Sequence, residues 1–416
     1  MLFKIWKLWY TDIEKVVILV SKVVVIGAGA SGIIAALKAS EKNEVILLDG
    51  NDKCGKKILL TGNGKCNYWN QSIGIQNYHT DDIEKLKQIL EYQKETFSFL
   101  EQLGFYPKIR DGYYYPYSNQ ASSVQTILNK AIAASKVVVK YQFKVTNISK
   151  NNNYFIIESD KEKLIADKVI IATGSKAFSK TGSDGSGYHL AQKLGHHVNP
   201  VLPSLVPLVG KDVPKWEGNR IEANVQLYIN NQKIKEETGE LQLTDYGVSG
   251  ICIFNLSGLV SKNLYLKNTV LLKINFFKEV ENLYSFLEER SKKLKNLTIE
   301  EILESLIPYK LLWIFLQKAK INKDKTWFQL SELEKQKLVS IIQSYPLQIV
   351  DTLSYDRSQV CTGGIPLKEV EKSLESSLVN GLYIIGEILD VDGICGGFNL
   401  AFSFITGYIA GSDIHD

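Results

Sequence analysis

Gly27, Gly29 and Gly32 follow the apolar run VVVI at 23–26 and precede a helical pattern that begins at Ile33. A strand that turns through three glycines into a helix start presents unpaired N–H groups to an anion, and the missing Cβ atoms let phosphates approach the backbone. Ala28, Ala30 and Ser31 keep the turn small. A glycine fingerprint alone is weak, but here the next apolar run, EVILLD, ends in an acid, Asp49, followed by Gly50. That context predicts a dinucleotide with its pyrophosphate on the 27–32 turn and a ribose on Asp49.

Two more segments decide which dinucleotide. DKVIIATGS at 167–175 is a second strand entering a small-residue turn at Ala172, Thr173 and Gly174. GLYIIGEILD at 381–390 is a third, with Gly386 and the acids Glu387 and Asp390 at its end. A simple nicotinamide dehydrogenase needs neither, whereas a two-dinucleotide flavoprotein uses both to bring the chain back over its cofactor, so FAD is expected. Gly396, Gly397, Phe398, Asn399 and Leu400 then offer a backbone able to lie against an isoalloxazine ring.

These blocks resemble the BaiN/RdsA-like (YhiN-like) flavoproteins, also labelled the aminoacetone oxidase family, from about Lys22 to the C-terminus. The most specific match is GKKILLTGNGKCN at 55–67; others are YPYSNQASSV at 115–124, TGSDGSGYHLAQKLGH at 181–196, TGELQLTDYGVSG at 238–250 and TGGIPLKEV at 362–370. The resemblance implies an α/β fold: a Rossmann-like two-dinucleotide-binding FAD domain with inserted β-barrel and helical domains. It also implies that Lys56, Thr61, Gly62, Asn67 and Val145 belong to the cofactor site. Lys56 and Lys65 stand where the family has arginine, within a chain that has only four arginines, so the exchange reads as compositional. Asp245 replaces a histidine common in relatives, and no general base is assigned there.

Family activities comprise enone-type reduction of bile-acid intermediates, oxidation of aminoacetone, and reduction of a large-subunit rRNA uridine to dihydrouridine. The first and third deliver hydride from reduced flavin to a polarised C=C and then protonate the neighbouring carbon. Cys66 is the first candidate donor, its thiol lowered by Lys65, although filling space beneath the pyrophosphate is the weightier reading of it; Tyr246 is the second candidate donor. The expected function is FAD-dependent, NAD(P)H-driven reduction of an activated C=C, with the rRNA uridine as favoured substrate. A small-molecule enone or aminoacetone is the alternative, and a non-catalytic flavin-bearing binder the least favoured. NAD(P)H must dock transiently, because GSDGSG at 182–187 has the wrong order for a second fingerprint and no strand leading into it.

With 416 residues, 45% hydrophobic and 23% charged, the chain reads as a soluble protein of two or three domains. A formal charge of +4 is too small to imply a nucleic-acid partner by itself. Five cysteines form no CxxC pair and leave one over in any pairing, as for reduced thiols in the cytoplasm. His196 and His197 lack metal-ligand spacing; both read as helix-end or surface residues, and no metal is expected. Residues 1–19 are apolar but interrupted by Asp12 and Glu14, and fit neither a signal peptide nor a membrane span. They read as an over-long start before a functional beginning near Val20, or as a short extra helix.

The expected order is an FAD-binding domain over 20–199 and 346–416, an antiparallel barrel over 200–278 and a helical insertion over 279–345. Apolar spacing predicts one helix over 81–103, capped by Gly104, and Pro308 a break inside the insertion. Tyr113, Tyr114, Tyr115 and Tyr117 predict a half-buried strand, or a surface that stacks on a flat ligand.

Overall fold

The computed structural model describes residues 16–414, with side chains described from Val23 onward. The expected extension therefore lies, for its first fifteen residues, outside the described part. The chain forms two compact units, one running to Val201 and resuming at Gln359, the other spanning Leu202–Ser358.

The first unit is built on a seven-stranded sheet. Val16–Ile26 lies between Val45–Leu48 and Lys163–Ile171, parallel to both, and Leu382–Ile384 pairs parallel to the far end of Lys163–Ile171. Val23, Val24 and Val25 are fully buried. An unbroken apolar run suits a parallel strand because both faces of such a sheet are covered. The helix Ala30–Ala39 packs against the C-terminal helix Phe398–Asp413. Glycines make that approach close: a Cβ on Gly407 would lie 2.4 Å from the Ser31 carbonyl oxygen, and one on Gly411 2.6 Å from that of Ala35.

The expected single helix over 81–103 is two, Ile83–Leu90 and Gln93–Gln102. The gap between apolar Leu90 and Phe97 marks the phase change, and Asp82 caps the first piece by accepting from the Lys85 N–H at 2.9 Å. Tyr113–Pro116 is a strand, between Trp69–Asn70 and Pro107–Arg110.

In the second unit six strands close into a barrel: Leu208–Gly210, Gly247–Ser249, Gln232–Leu243, Arg220–Ile229, Val270–Asn275 and Tyr345–Thr352. The last strand corrects the expected return to the nucleotide-binding unit at residue 346. It pairs antiparallel with Val270–Asn275 and with Leu208–Gly210, so the return falls at Gln359. Its alternation gives the reason: Tyr345, Leu347 and Ile349 point into the barrel while Pro346, Gln348 and Val350 are exposed. The helix Ile251–Tyr265 also lies inside the stretch read as strands. Four helices form the insertion, and Pro308 immediately precedes Tyr309–Ala319, at the expected break. No described helix is long and apolar enough to cross a membrane.

Candidate functional site

The three fingerprint glycines do different work. Gly27 has φ +102, and a Cβ there would meet the Ala172 carbonyl oxygen at 2.4 Å; one on Gly32 would meet the Gly27 carbonyl oxygen at 1.9 Å. Both are glycine because protein backbone lies against them. A Cβ on Gly29 would meet nothing within 4 Å. Gly29 faces an open cleft, and as N-cap of Ala30–Ala39 it leaves that helix start with no side-chain cap. Asp49 holds the turn in place, one carboxylate oxygen accepting from the Ala28 N–H and the other from the Asn51 N–H, each at 2.7 Å.

The cleft, about 320 Å³, lies wholly within the first unit. It brings together Gly27, Ala28, Gly29, Ala30, Ser31, Asp49 and Gly50 with Lys56 and Thr61, Val145, the Ala172, Thr173 and Gly174 turn, and Glu387, Asn399 and Leu400. Thr173 Oγ1 is buried there without a hydrogen-bond partner. An uncapped helix start, open space before Gly29 and an orphaned hydroxyl fit a pyrophosphate and its polar neighbours. Lys57 binds Glu387 at 2.6 Å across the cleft, and Glu387 also accepts from Ser175 Oγ at 2.8 Å. Lys56 binds Asp52 at 2.8 Å and Asn51 at 3.1 Å.

Eight residues assigned to the cofactor do not line the cleft, and packing explains them. Gly32 and Gly386 serve close approach; a Cβ on Gly386 would lie 2.5 Å from Ser31 Oγ. Asp390 is buried, accepting from the Gly363 N–H at 3.0 Å and from Asn199 at 2.7 Å. The Asn67 amide nitrogen faces the Trp69 and Tyr114 carbonyls at 3.0 and 3.1 Å, and its oxygen the Gly397 N–H at 3.3 Å. Asn67 thus ties the 55–67 loop, in which Gly62 has φ +55, to the turn of Gly396 and Gly397. Phe398 packs edge-on against Tyr78, whose hydroxyl donates to the Phe398 carbonyl at 3.0 Å.

Sequence reasoning missed Lys57, Lys144, Ser183 and Asp184, all at the cleft. The signal for Ser183 and Asp184 was GSDGSG, set aside because its glycine order is wrong for a second fingerprint, and Lys57 stands in the 55–67 motif itself. Burial alone would raise the Asp184 carboxyl, but bonds from Ser186 and Lys144 overrule it and hold it at about 2.

Cys66 is fully buried and absent from the cleft. Burial pushes its thiol up to about 12, against a weaker opposing bond from Thr61. The expected lowering by Lys65 is therefore overturned: desolvation outweighs a neighbouring charge. Cys66→Ala is expected to leave turnover within about twofold and to cost about 1–2 kcal/mol of stability, read by steady-state rates and a denaturant melt. Tyr246 belongs to the second unit and borders a cleft there with Thr244, Asp245 and Arg357.

Of the adjacent histidines, His197 is at the surface as expected, and only His196 departs from a surface reading. His196 is buried, with Nδ1 2.8 Å from Glu369 and Nε2 2.8 Å from Ser376 Oγ; His197 Nδ1 lies 2.6 Å from the other Glu369 oxygen. Burial would raise Glu369, but its bonds from His196 and His197 hold it below the ordinary carboxylate range. A depressed carboxylate stabilises the fold above its unfolded pKa, and that contribution disappears as pH falls through the folded value. Urea melts should show Glu369→Gln less stable than the parent at pH 7, with the gap shrinking at pH values below about 4.5.

A mainly parallel sheet, a glycine turn into an uncapped helix and an acid closing the second strand define a Rossmann-type dinucleotide-binding protein. The chain belongs to the HI0933-like protein Rossmann domain family, which matches residues 21–413. It is 37% identical over 401 residues to the 3-dehydro-bile acid delta(4,6)-reductase of Clostridium scindens, covering 94% of this chain and 98% of that protein. It is 26% identical over 402 residues to the ribosomal RNA dihydrouridine synthase of Escherichia coli, covering 94% and 97%. Among solved structures, the open conformation of a flavocytochrome c3 fumarate reductase shares the fold with a TM-score of 0.51 at 15% identity, over 100% of this chain and 81% of that one. The protein is an FAD-dependent oxidoreductase that uses NAD(P)H.

Proposed function

We propose that the protein reduces a C=C bond conjugated to a carbonyl in a small molecule, with NAD(P)H as electron source. The likeness to the Clostridium scindens reductase, which spans nearly the whole of both chains, carries this reading. Bound FAD would supply the hydride chemistry. The chain's own part begins with holding the cofactor: Gly29 and the start of Ala30–Ala39 take the pyrophosphate, Asp49 a ribose, and Thr173 a further polar atom. The Lys57–Glu387 pair keeps the 55–67 loop against the cleft. With Cys66 sealed in the core, ordered water is the proton donor we assign.

Reduction of a uridine in large-subunit rRNA is the second reading, favoured by the Escherichia coli relative. One comparison separates the two. The protein is incubated with NAD(P)H and either a 3-keto-4,6-diene steroid acid or rRNA lacking dihydrouridine, and products are examined by mass spectrometry. The first reading expects a steroid heavier by two hydrogens and unchanged rRNA; dihydrouridine in the rRNA with an untouched steroid would replace it with the second.

A further inference from the structure

The hairpin of Pro107–Arg110 and Tyr113–Pro116 has two faces, fixed by its register. Lys108 lies opposite Tyr115 and Arg110 opposite Tyr113, and the Tyr117 N–H continues the ladder by donating to the Tyr106 carbonyl at 3.1 Å. Side chains alternate along a strand, so Tyr106, Lys108 and Arg110 share one face with Tyr117, Tyr115 and Tyr113. The opposite face carries Tyr114, which packs edge-on against Phe97 with centroids 5.6 Å apart. The first face thus holds four phenol rings and two cations in three cross-strand pairs. Tyr106 is 71% exposed and Tyr117 63%.

Among the described residues neither cation is held by a carboxylate. Lys140, Lys144 and Lys163 of the same unit each hold a carboxylate, at 2.8, 2.9 and 2.7 Å. Among the described residues Lys108 and Arg110 have no such partner, and Lys108 instead lies 5.6 Å from the centre of the Tyr117 ring. The face also ends at the Gly396 turn, three residues before Asn399, which lines the cofactor cleft. Tyr113 Cε1 lies 3.0 Å from where a Gly396 Cβ would be, and Asn70, paired with Tyr113, donates to the Gly396 carbonyl at 2.8 Å. From Tyr113 to Tyr117 the strand rise gives a length of about 14 Å.

We propose that this face is the docking site for the nicotinamide dinucleotide. That ligand has two flat rings joined by a pyrophosphate, and the face offers aromatic rings at both ends, with Lys108 in the middle pair and Arg110 beside Tyr113 to meet phosphate. Tyrosine faces stack on heteroaromatic rings, and Lys and Arg bind phosphate. It also answers where NAD(P)H binds in a chain with one glycine fingerprint. The inference rests on NAD(P)H being the electron source of the reduction proposed above.

The test is calorimetric titration of the oxidised FAD-loaded protein with NAD⁺ and NADP⁺. The double variant Lys108→Gln/Arg110→Gln should weaken the preferred nucleotide about a hundredfold and Tyr115→Ala about tenfold, with FAD content and melting temperature unchanged. Added salt should weaken the parent much more than the double variant. Unchanged affinity in the double variant, or a parent that binds neither nucleotide, would overturn the proposal. So would a double variant that loses only its affinity for a single-stranded RNA oligonucleotide, which would assign the face to nucleic acid. Dithionite-reduced protein needs no nicotinamide, so its failure to reduce the enone would count against the functional reading alone.

Discussion

Gly29→Val should yield a folded, colourless protein. The position has φ −82 and ψ −168, an extended conformation open to valine, and a Cβ there touches no protein atom within 4 Å. Its only obstacle is whatever enters the cleft, where the branched side chain would stand in the pyrophosphate position. FAD affinity should fall at least about a hundredfold, or about 2.7 kcal/mol, while the circular dichroism of the cofactor-free protein matches that of the parent. A variant purified with a full complement of FAD would show that the pyrophosphate lies elsewhere.

Three residues on, the same kind of change should have the opposite effect. Gly32→Ala adds one methyl, yet that carbon would sit 1.9 Å from the Gly27 carbonyl oxygen, a backbone atom pinned by its own packing on Ala172. The first helix cannot retreat freely, because the C-terminal helix lies against it through Gly407 and Gly411. We expect a cost of about 3 kcal/mol or more and a melting temperature lower by about 10 °C, measured on the cofactor-free proteins so that FAD binding does not enter. A Gly32→Ala protein with parental stability and weakened FAD would mean that the two glycines exchange roles.

That pair shows what a sequence discloses and what it hides. The 27–32 turn, Asp49 and the 172–174 turn were legible because their constraints are local: a strand, small residues and a helix start within a few positions of each other. The sequence could not say which glycine serves packing and which faces the cleft, since that depends on Ala172, far along the chain. The same limit governs Gly396, Gly397 and Asn67, whose small size and amide answer one another across hundreds of residues. Lys65 beside Cys66 advertised a reactive thiol, but desolvation is a property of the folded interior and overrode it. Tyr345–Thr352 carried the alternation of a strand in plain view; its membership of the barrel was hidden by the helical insertion between it and its partner Val270–Asn275. Ile251–Tyr265 was obscured because Ser257, Gly258 and Ser261 blur the apolar period of a helix buried on much of its surface.

The most direct test of the central claim, an FAD-dependent reductase of an activated C=C, is a pair of anaerobic half-reactions followed by flavin absorbance. NADH or NADPH should bleach the oxidised protein, and an enone, added after the nicotinamide is exhausted, should restore the oxidised spectrum much faster than buffer alone, with one alkene consumed per flavin. A flavin that resists both nicotinamides but is bleached by aminoacetone, with peroxide formed when oxygen is admitted, would contradict the account and make the protein an amine oxidase.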